Sequence, residues 1–462
     1  MTITPTSGRF FVRADQYLKL DSNVQSGGGT DQTDILQAIL DMAPVWGGLH
    51  LYLNGAVLTK KLRIHGNTRI ECPNLNCGLY LCDGQDSPLL VNAHYSTGEI
   101  EDKGISLLGG TYNFNCAHQN RYPGFSPQTG FRLDREFFTT EWSHGMIFYG
   151  VKDLLIRDCC LVNQRTFTVV VANFHNVVVE NVNIPLPECY FGENQDGFHF
   201  FGPGTGLTIR NIYGRSGDDF LAIAPDELTP GASITDVTVD GVYLRDADQV
   251  IRMISRGTGR LDRVFVRNVY GTYKSFGIAI NPWFSDGVGN YGSICIENVH
   301  LQPTAHKYPY CEPYMFRAGG CIANLRIRGV TCLDPADSRT LLCISHDYGE
   351  ERSRGRPAHI KNLVIEDVTV QDSAKDKDSF VCIYSDAEID QLTVKNVTLQ
   401  RSSEAESVML QLRSGSRTDV LRISDVTLQG KGCLVSVEED AQIGCQVRRD
   451  NVINGEKEST AN

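Results

Sequence analysis

Val177-Val178-Val179-Glu180-Asn181-Val182 returns 30 residues later as Leu207-Thr208-Ile209-Arg210-Asn211-Ile212, and again as Val237-Thr238-Val239-Asp240-Gly241-Val242. The shared pattern is apolar, any, apolar, any, then Asn, Asp or Gly, then a β-branched residue. Outward from these copies it recurs upstream as Leu155-Ile156-Arg157-Asp158. Downstream it recurs around Val266-Arg267-Asn268, Ile296-Glu297-Asn298, Ile327-Arg328-Gly329, Ile365-Glu366-Asp367, Val394-Lys395-Asn396 and Ile423-Ser424-Asp425. Successive bend positions lie 23, 30, 30, 27, 30, 31, 38, 29 and 29 residues apart. Alternation at period two excludes helical repeats. A propeller blade would need four strands and about 40 residues. One strand and a polar turn cannot bury an inner face alone, so neighbouring units must stack. The spacing therefore predicts an all-β, single-stranded parallel β-helix, a solenoid of about ten or more coils. Asn and Asp tolerate the left-handed backbone of a bend, and their side chains, stacked coil on coil, would form a ladder.

An open solenoid end exposes core and strand edges, so a cap is expected. Thr30-Asp31-Gln32-Thr33-Asp34-Ile35-Leu36-Gln37-Ala38-Ile39-Leu40 reads as an amphipathic helix, with Thr or Asp as its N-cap and Ile35, Leu36, Ile39 and Leu40 on one face. The first strand then opens at Gly47-Gly48. The predicted organisation is an N-terminal arm over 1–24, a β-helix domain over 25–445 with a helical cap at about 31–42, and a C-terminal tail over 446–462 whose polar end, Gly455–Asn462, is expected to fray. A chain of 462 residues would ordinarily suggest three compact domains. The repeat replaces them with one elongated domain.

The 43 basic and 55 acidic side chains give a net charge of −12, which argues against nucleic acid or an anionic membrane as partner, since phosphate binding needs a basic excess. No apolar run approaches the length of a membrane span. The 15 Cys are odd in number and scattered, many at apolar-strand positions such as Cys159, Cys295, Cys332 and Cys382. That is unlike a disulfide framework, and the spacing of Cys72, Cys77 and Cys82 matches no zinc pattern. No signal peptide is visible at the N-terminus. The expectation is a cytoplasmic protein with no metal and no cofactor, a monomer or small homo-oligomer; a secreted chain that had lost its leader would read the same way.

Two segments break the apolar pattern with carboxylates: Glu193-Asn194-Gln195-Asp196-Gly197-Phe198-His199-Phe200 and Ser216-Gly217-Asp218-Asp219-Phe220-Leu221-Ala222-Ile223. Their alignment puts Asp196 and Asp219 one coil apart at matching positions, about 4.8 Å from each other in stacked strands, with Asp218 beside them. Like charges this close push at least one pKa up, as a general acid at neutral pH requires. Asp-Gly and Gly-Asp-Asp are also common turn sequences, which explains each segment alone but not their matched register.

Asn194-Gln195-Asp196-Gly197 followed by Gly217-Asp218-Asp219-Phe220-Leu221-Ala222-Ile223 resembles the paired motifs of the polygalacturonase-like glycoside hydrolases, family 28. The Gly29-Thr30-Asp31-Gln32-Thr33-Asp34 opening with Gly47-Gly48 adds to the resemblance, which extends over most of residues 25–430. The resemblance implies a right-handed parallel β-helix and an enzyme that inverts the anomeric centre, with Asp218 as general acid and Asp196 and Asp219 holding the attacking water. The sequence departs from that pattern at two places. The family's Gly-His-Gly motif has no counterpart, since no histidine occurs between His199 and His300, and Gln249 takes the matching register position. The family's Arg-Ile-Lys motif is met by Arg252-Met253-Ile254, which keeps the Arg and has Ile254 for the Lys that meets a substrate carboxylate; Arg256 is the nearest replacement.

His199, three residues past Asp196, is a candidate for sugar hydroxyls, and Arg252, at a register position where its neighbours are small, is a candidate for substrate contact. Gln249 and Trp283 complete the substrate-binding set, with Tyr273 and Phe284 as further aromatic candidates for stacking or packing. The long irregular segment Asn115–Thr140 is expected to wall one end of a groove. The leading function is an inverting glycoside hydrolase on an oligo- or polysaccharide, pectin-like if it carries uronic acid. The alternatives are a lyase or epimerase on the same scaffold, or a noncatalytic carbohydrate-binding protein like a phage tail spike.

Overall fold

Asp31 sets the start of the fold. In the computed structural model, its Oδ1 accepts the Thr33 N–H (2.9 Å) and the Thr33 hydroxyl just before the helix Thr33–Leu40, whose N-cap is Gln32, without a side-chain cap bond, in place of the expected Thr or Asp. The helix buries Leu36, Ile39 and Leu40, whereas Ile35, expected on the same face, is exposed. Eight residues make barely two turns, so the buried stripe is only three side chains wide. A short second helix, Ala43–Trp46, follows and ends at Gly47, whose φ of 75° only glycine adopts freely. The helix also covers strand edges. The Gln37 amide donates to Arg63 O (3.1 Å) and accepts from Arg63 N–H (2.8 Å), and the Thr33 hydroxyl accepts from Lys60 N–H (2.8 Å). These bonds satisfy backbone groups that an open coil would leave unpaired.

The structure describes residues 8–119, 144–189, 194–282, 287–304, 314–333, 340–345, 358–372, 378–385, 387–401 and 406–458. The chain forms two compact units, 1–237 and 238–462, and is almost wholly parallel strand: a parallel β-helix. In the first unit, Leu154, Val177 and Leu207 stand in register on successive coils, as do Ile156, Val179 and Ile209. In the second, Val264, Ile294, Leu325, Leu363, Leu392 and Leu421 form one buried column. Val266, Ile296, Ile327, Ile365, Val394 and Ile423 form the next. Burying each such side chain contributes about 1.5–3 kcal/mol, which is what sets the register.

All ten bend positions of the repeat have positive φ, from 50° at Asn211 to 92° at Gly241. The expected ladder is present. Asn181 Nδ2 donates to Asp158 Oδ1 (2.9 Å), Asn211 to Asn181 (3.2 Å), Asn298 to Asn268 (2.6 Å) and Asn396 to Asp367 (2.8 Å).

At the N-terminus, strand Phe10–Arg13 pairs in parallel with Leu49–Tyr52. Near the C-terminus, Val452–Ile453 pairs with Thr427 and Leu428 and folds back antiparallel on Glu456–Lys457, so part of the stretch expected to fray is strand. Cys72, Cys159, Cys332 and Cys382 are buried thiols, and Cys295 is half-buried. Burial raises the Cys159 thiol pKa well above its ordinary value.

Candidate active site

The carboxylates of the first unit come together through register. Strand Phe198–Gly214 pairs with Asp219–Ala224 so that Phe198 faces Leu221 and His199 faces Ala222. One step earlier on the same ladder, Gly197 N–H donates to Asp219 O (2.9 Å) and Thr168 N–H to Asp196 O (2.9 Å). Asp196 and Asp219 therefore occupy equivalent positions on adjacent coils, as the sequence spacing requires. Gly197 serves this approach and not a turn. A Cβ there would lie 2.3 Å from Phe220 O, so any larger residue would push the two Asp-bearing strands apart.

Asp218 is half-buried, while Asp196 and Asp219 are buried. Asn194, with φ of 55°, points its N–H at Asp218 Oδ2 (3.0 Å). The Ser216 hydroxyl donates to Asp218 O (2.8 Å), and Gly217 N–H to Gln195 O (3.1 Å). Gln195 is fully buried, and its amide donates to Gln164 O (3.1 Å) and Cys189 O (2.7 Å). The motif residues around the acids thus hold backbone and, through the Asn194 N–H, the Asp218 carboxylate itself.

His199 is not presented on a surface. Its Nδ1 lies 2.7 Å from Asp196 Oδ2 and its Nε2 lies 3.3 Å from Glu227 Oε2, and the ring is stacked between Phe167 (4.7 Å) and Phe201 (4.2 Å). Burial alone would lower its pKa. The hydrogen bonds and charges of Asp196 and Glu227 outweigh that and raise it to about 10. For Asp196, burial dominates. Helped by the charges of Asp218 and Glu227 and opposed by the bond to His199, it pushes the carboxyl up to about 7. The raised carboxyl thus falls on Asp196, a residue assigned to the attacking water, and not on Asp218, the residue assigned as general acid.

Glu227 escaped the sequence reading. It follows Pro225-Asp226 at the end of strand Asp219–Ala224, where acidic residues pass as an ordinary turn. Its offset of 28 residues from His199 exceeds by five the 23 that set His199 against Ala222, so counting coils does not single it out.

In the second unit the structure brings Arg252 and Gln249 together. Arg252 Nη1 donates to Gln249 Oε1 (2.8 Å), and the guanidinium lies 5.8 Å from the centre of the Phe276 ring. The Asn281 N–H to Met253 O bond (3.2 Å) sets Ala279 beside Arg252, the small neighbour that the spacing implied. Tyr273 is fully buried and packs in the core, and burial raises its pKa well above the ordinary value. Trp283, Phe284 and residues 120–140 of the expected groove wall lie outside the described residues. Among the described residues, no group of three or more His, Cys, Asp or Glu side chains could hold a metal ion.

No protein-family model matches the sequence, and no curated protein matches it. Solved structures do. The chain is similar to the family 28 exopolygalacturonase of Yersinia enterocolitica, at 12% identity over 98% of this chain and 79% of that one, with a TM-score of 0.51. It is equally similar to the N-terminal fragment of bacteriophage phi29 gene product 12, at 10% identity over 98% of this chain and 96% of that one, with a TM-score of 0.51. What these likenesses share is the parallel β-helix.

Proposed function

We propose that the chain is an inverting glycoside hydrolase acting on an oligo- or polysaccharide. Asp218 protonates the leaving glycosidic oxygen. Asp196 and Asp219 hold a water and take its proton as its oxygen attacks the anomeric carbon from the opposite face, which inverts that centre. The observation that carries this reading is the register of Asp196 with Asp219 beside the half-buried Asp218. A carboxyl brought to about 7 is matched to proton transfer near neutral pH, and it must be ionised to act as base.

His199 acts in this reading by holding Asp196, not by meeting sugar hydroxyls. The test is reducing-end release from a panel of uronic-acid and neutral oligosaccharides. Asp218→Asn should lower turnover by about 10²–10⁴-fold with substrate binding retained. Unchanged turnover would remove Asp218 as the acid, and an unsaturated product would replace the hydrolase with a lyase.

A further inference from the structure

We propose that Glu227 is a positioning residue of this site: by gripping the far nitrogen of His199, it fixes the ring that in turn orients the Asp196 carboxylate. The inference rests on the hydrolase reading for its catalytic meaning, but its geometry stands apart from it. A neutral imidazole carries one N–H and one lone pair, so it can donate to only one of two flanking carboxylates. With Asp196 Oδ2 at 2.7 Å from Nδ1 and Glu227 Oε2 at 3.3 Å from Nε2, the ring satisfies both only as imidazolium. Asp196, His199 and Glu227 are 2%, 4% and 8% exposed, so losing either partner would leave a largely buried polar atom poorly compensated by solvent.

The ring plane is also fixed. Phe167 stacks on His199 at 18° and Phe201 at 23°, and His144 stacks behind Phe167 at 5.0 Å. Between two stacked rings, the imidazole keeps its nitrogens pointed along one line, from Asp196 to Glu227. The charged groups bearing on this line are Asp196, Asp218 and Glu227, with Asp219 on the adjoining strand and His144 beyond Phe167. Burial, helped by the charges of Asp218 and Glu227, keeps the Asp196 carboxyl from ionising at acid pH, while the bond to His199 Nδ1 opposes that shift and holds its orientation.

The consequence for pH has a definite sign. Both folded-state pKa values are raised, so both groups contribute stability at low pH. That of Asp196 is lost as pH rises through about 7, and that of His199 as pH rises through about 10. Neutralising Glu227 removes one anion from the imidazolium and must lower the His199 pKa.

The test is Glu227→Gln in the full chain, with His199 titrated by NMR of labelled histidine and with steady-state kinetics on the oligosaccharide that the wild type cleaves. The expected result is a His199 pKa lower by at least about one unit, together with kcat reduced by up to about 10²-fold at unchanged KM. Glu227→Asp, which keeps the charge, should titrate close to wild type and recover part of kcat, and it serves should Glu227→Gln not fold. A His199 titration unmoved in Glu227→Gln, or moved with kcat intact, overturns the proposal. A wild-type chain that cleaves no glycan overturns the hydrolase reading, and the NMR arm still decides whether Glu227 controls His199.

Discussion

The coils of residues 261–429 and the pair of coils around Asn194–Glu227 are built on the same ladder and spend it differently. In the first region, the buried columns repeat their own kind, Leu325 on Leu363 on Leu392 on Leu421, and the bend stacks Asn396 on Asp367, while positions outside the core also set Arg328 on Glu366 on Lys395. In the apolar columns each contact is like on like, so each addition lowers the free energy by the same route, burial of apolar area. In the second region, register stacks Asp196 on Asp219 and seats a histidine between two acids. There the stacking concentrates charge that the fold must then neutralise. A repeat that aligns whatever occupies one position can therefore build either a core or a reactive cluster, and only the side-chain chemistry decides which.

The comparison can be broken at its most costly point first. Removing the imidazolium with His199→Ala should destabilise the protein by about 3–5 kcal/mol at neutral pH, because Asp196 and Glu227 are then buried facing each other without a cation. Adding Asp196→Asn should recover part of that loss in denaturant unfolding. No recovery would mean that the ring's packing between Phe167 and Phe201, and not its charge, holds the region together. In the regular coils, Ile365→Ala should cost about 2–5 kcal/mol by leaving a cavity in its column. Unfolding curves measured at pH 6 and pH 9 should show the same loss for Ile365→Ala, since no titrating group is touched. A loss that changes with pH would mean that the apolar columns and the titrating cluster are not energetically separate.

Much of the fold was legible because it rests on one-dimensional signals. Asn298, Asp367 and Asn396 fall at fixed places after an alternating strand, and a left-handed bend is the conformation in which Asn and Asp are favoured. The match of Asp196 with Asp219 followed from counting residues between coils. Ile35 was misplaced because the helix is two turns long, and helical periodicity alone assigns a face without saying how wide the covering surface is. Glu227 was missed for a different reason. Its partner lies across a coil and its own segment reads as a polar turn, so nothing local marks it. The pKa of Asp196 was also beyond sequence, because it is set mainly by burial that depends on neighbours distant along the chain.

The most direct test of the account is the anomeric configuration of the first product, read by proton NMR within the first minutes of cleaving an oligosaccharide. Asp218 as acid, with Asp196 and Asp219 on the water, predicts a product of inverted configuration. A retained anomer would contradict it, since retention requires one of these carboxylates to attack carbon itself.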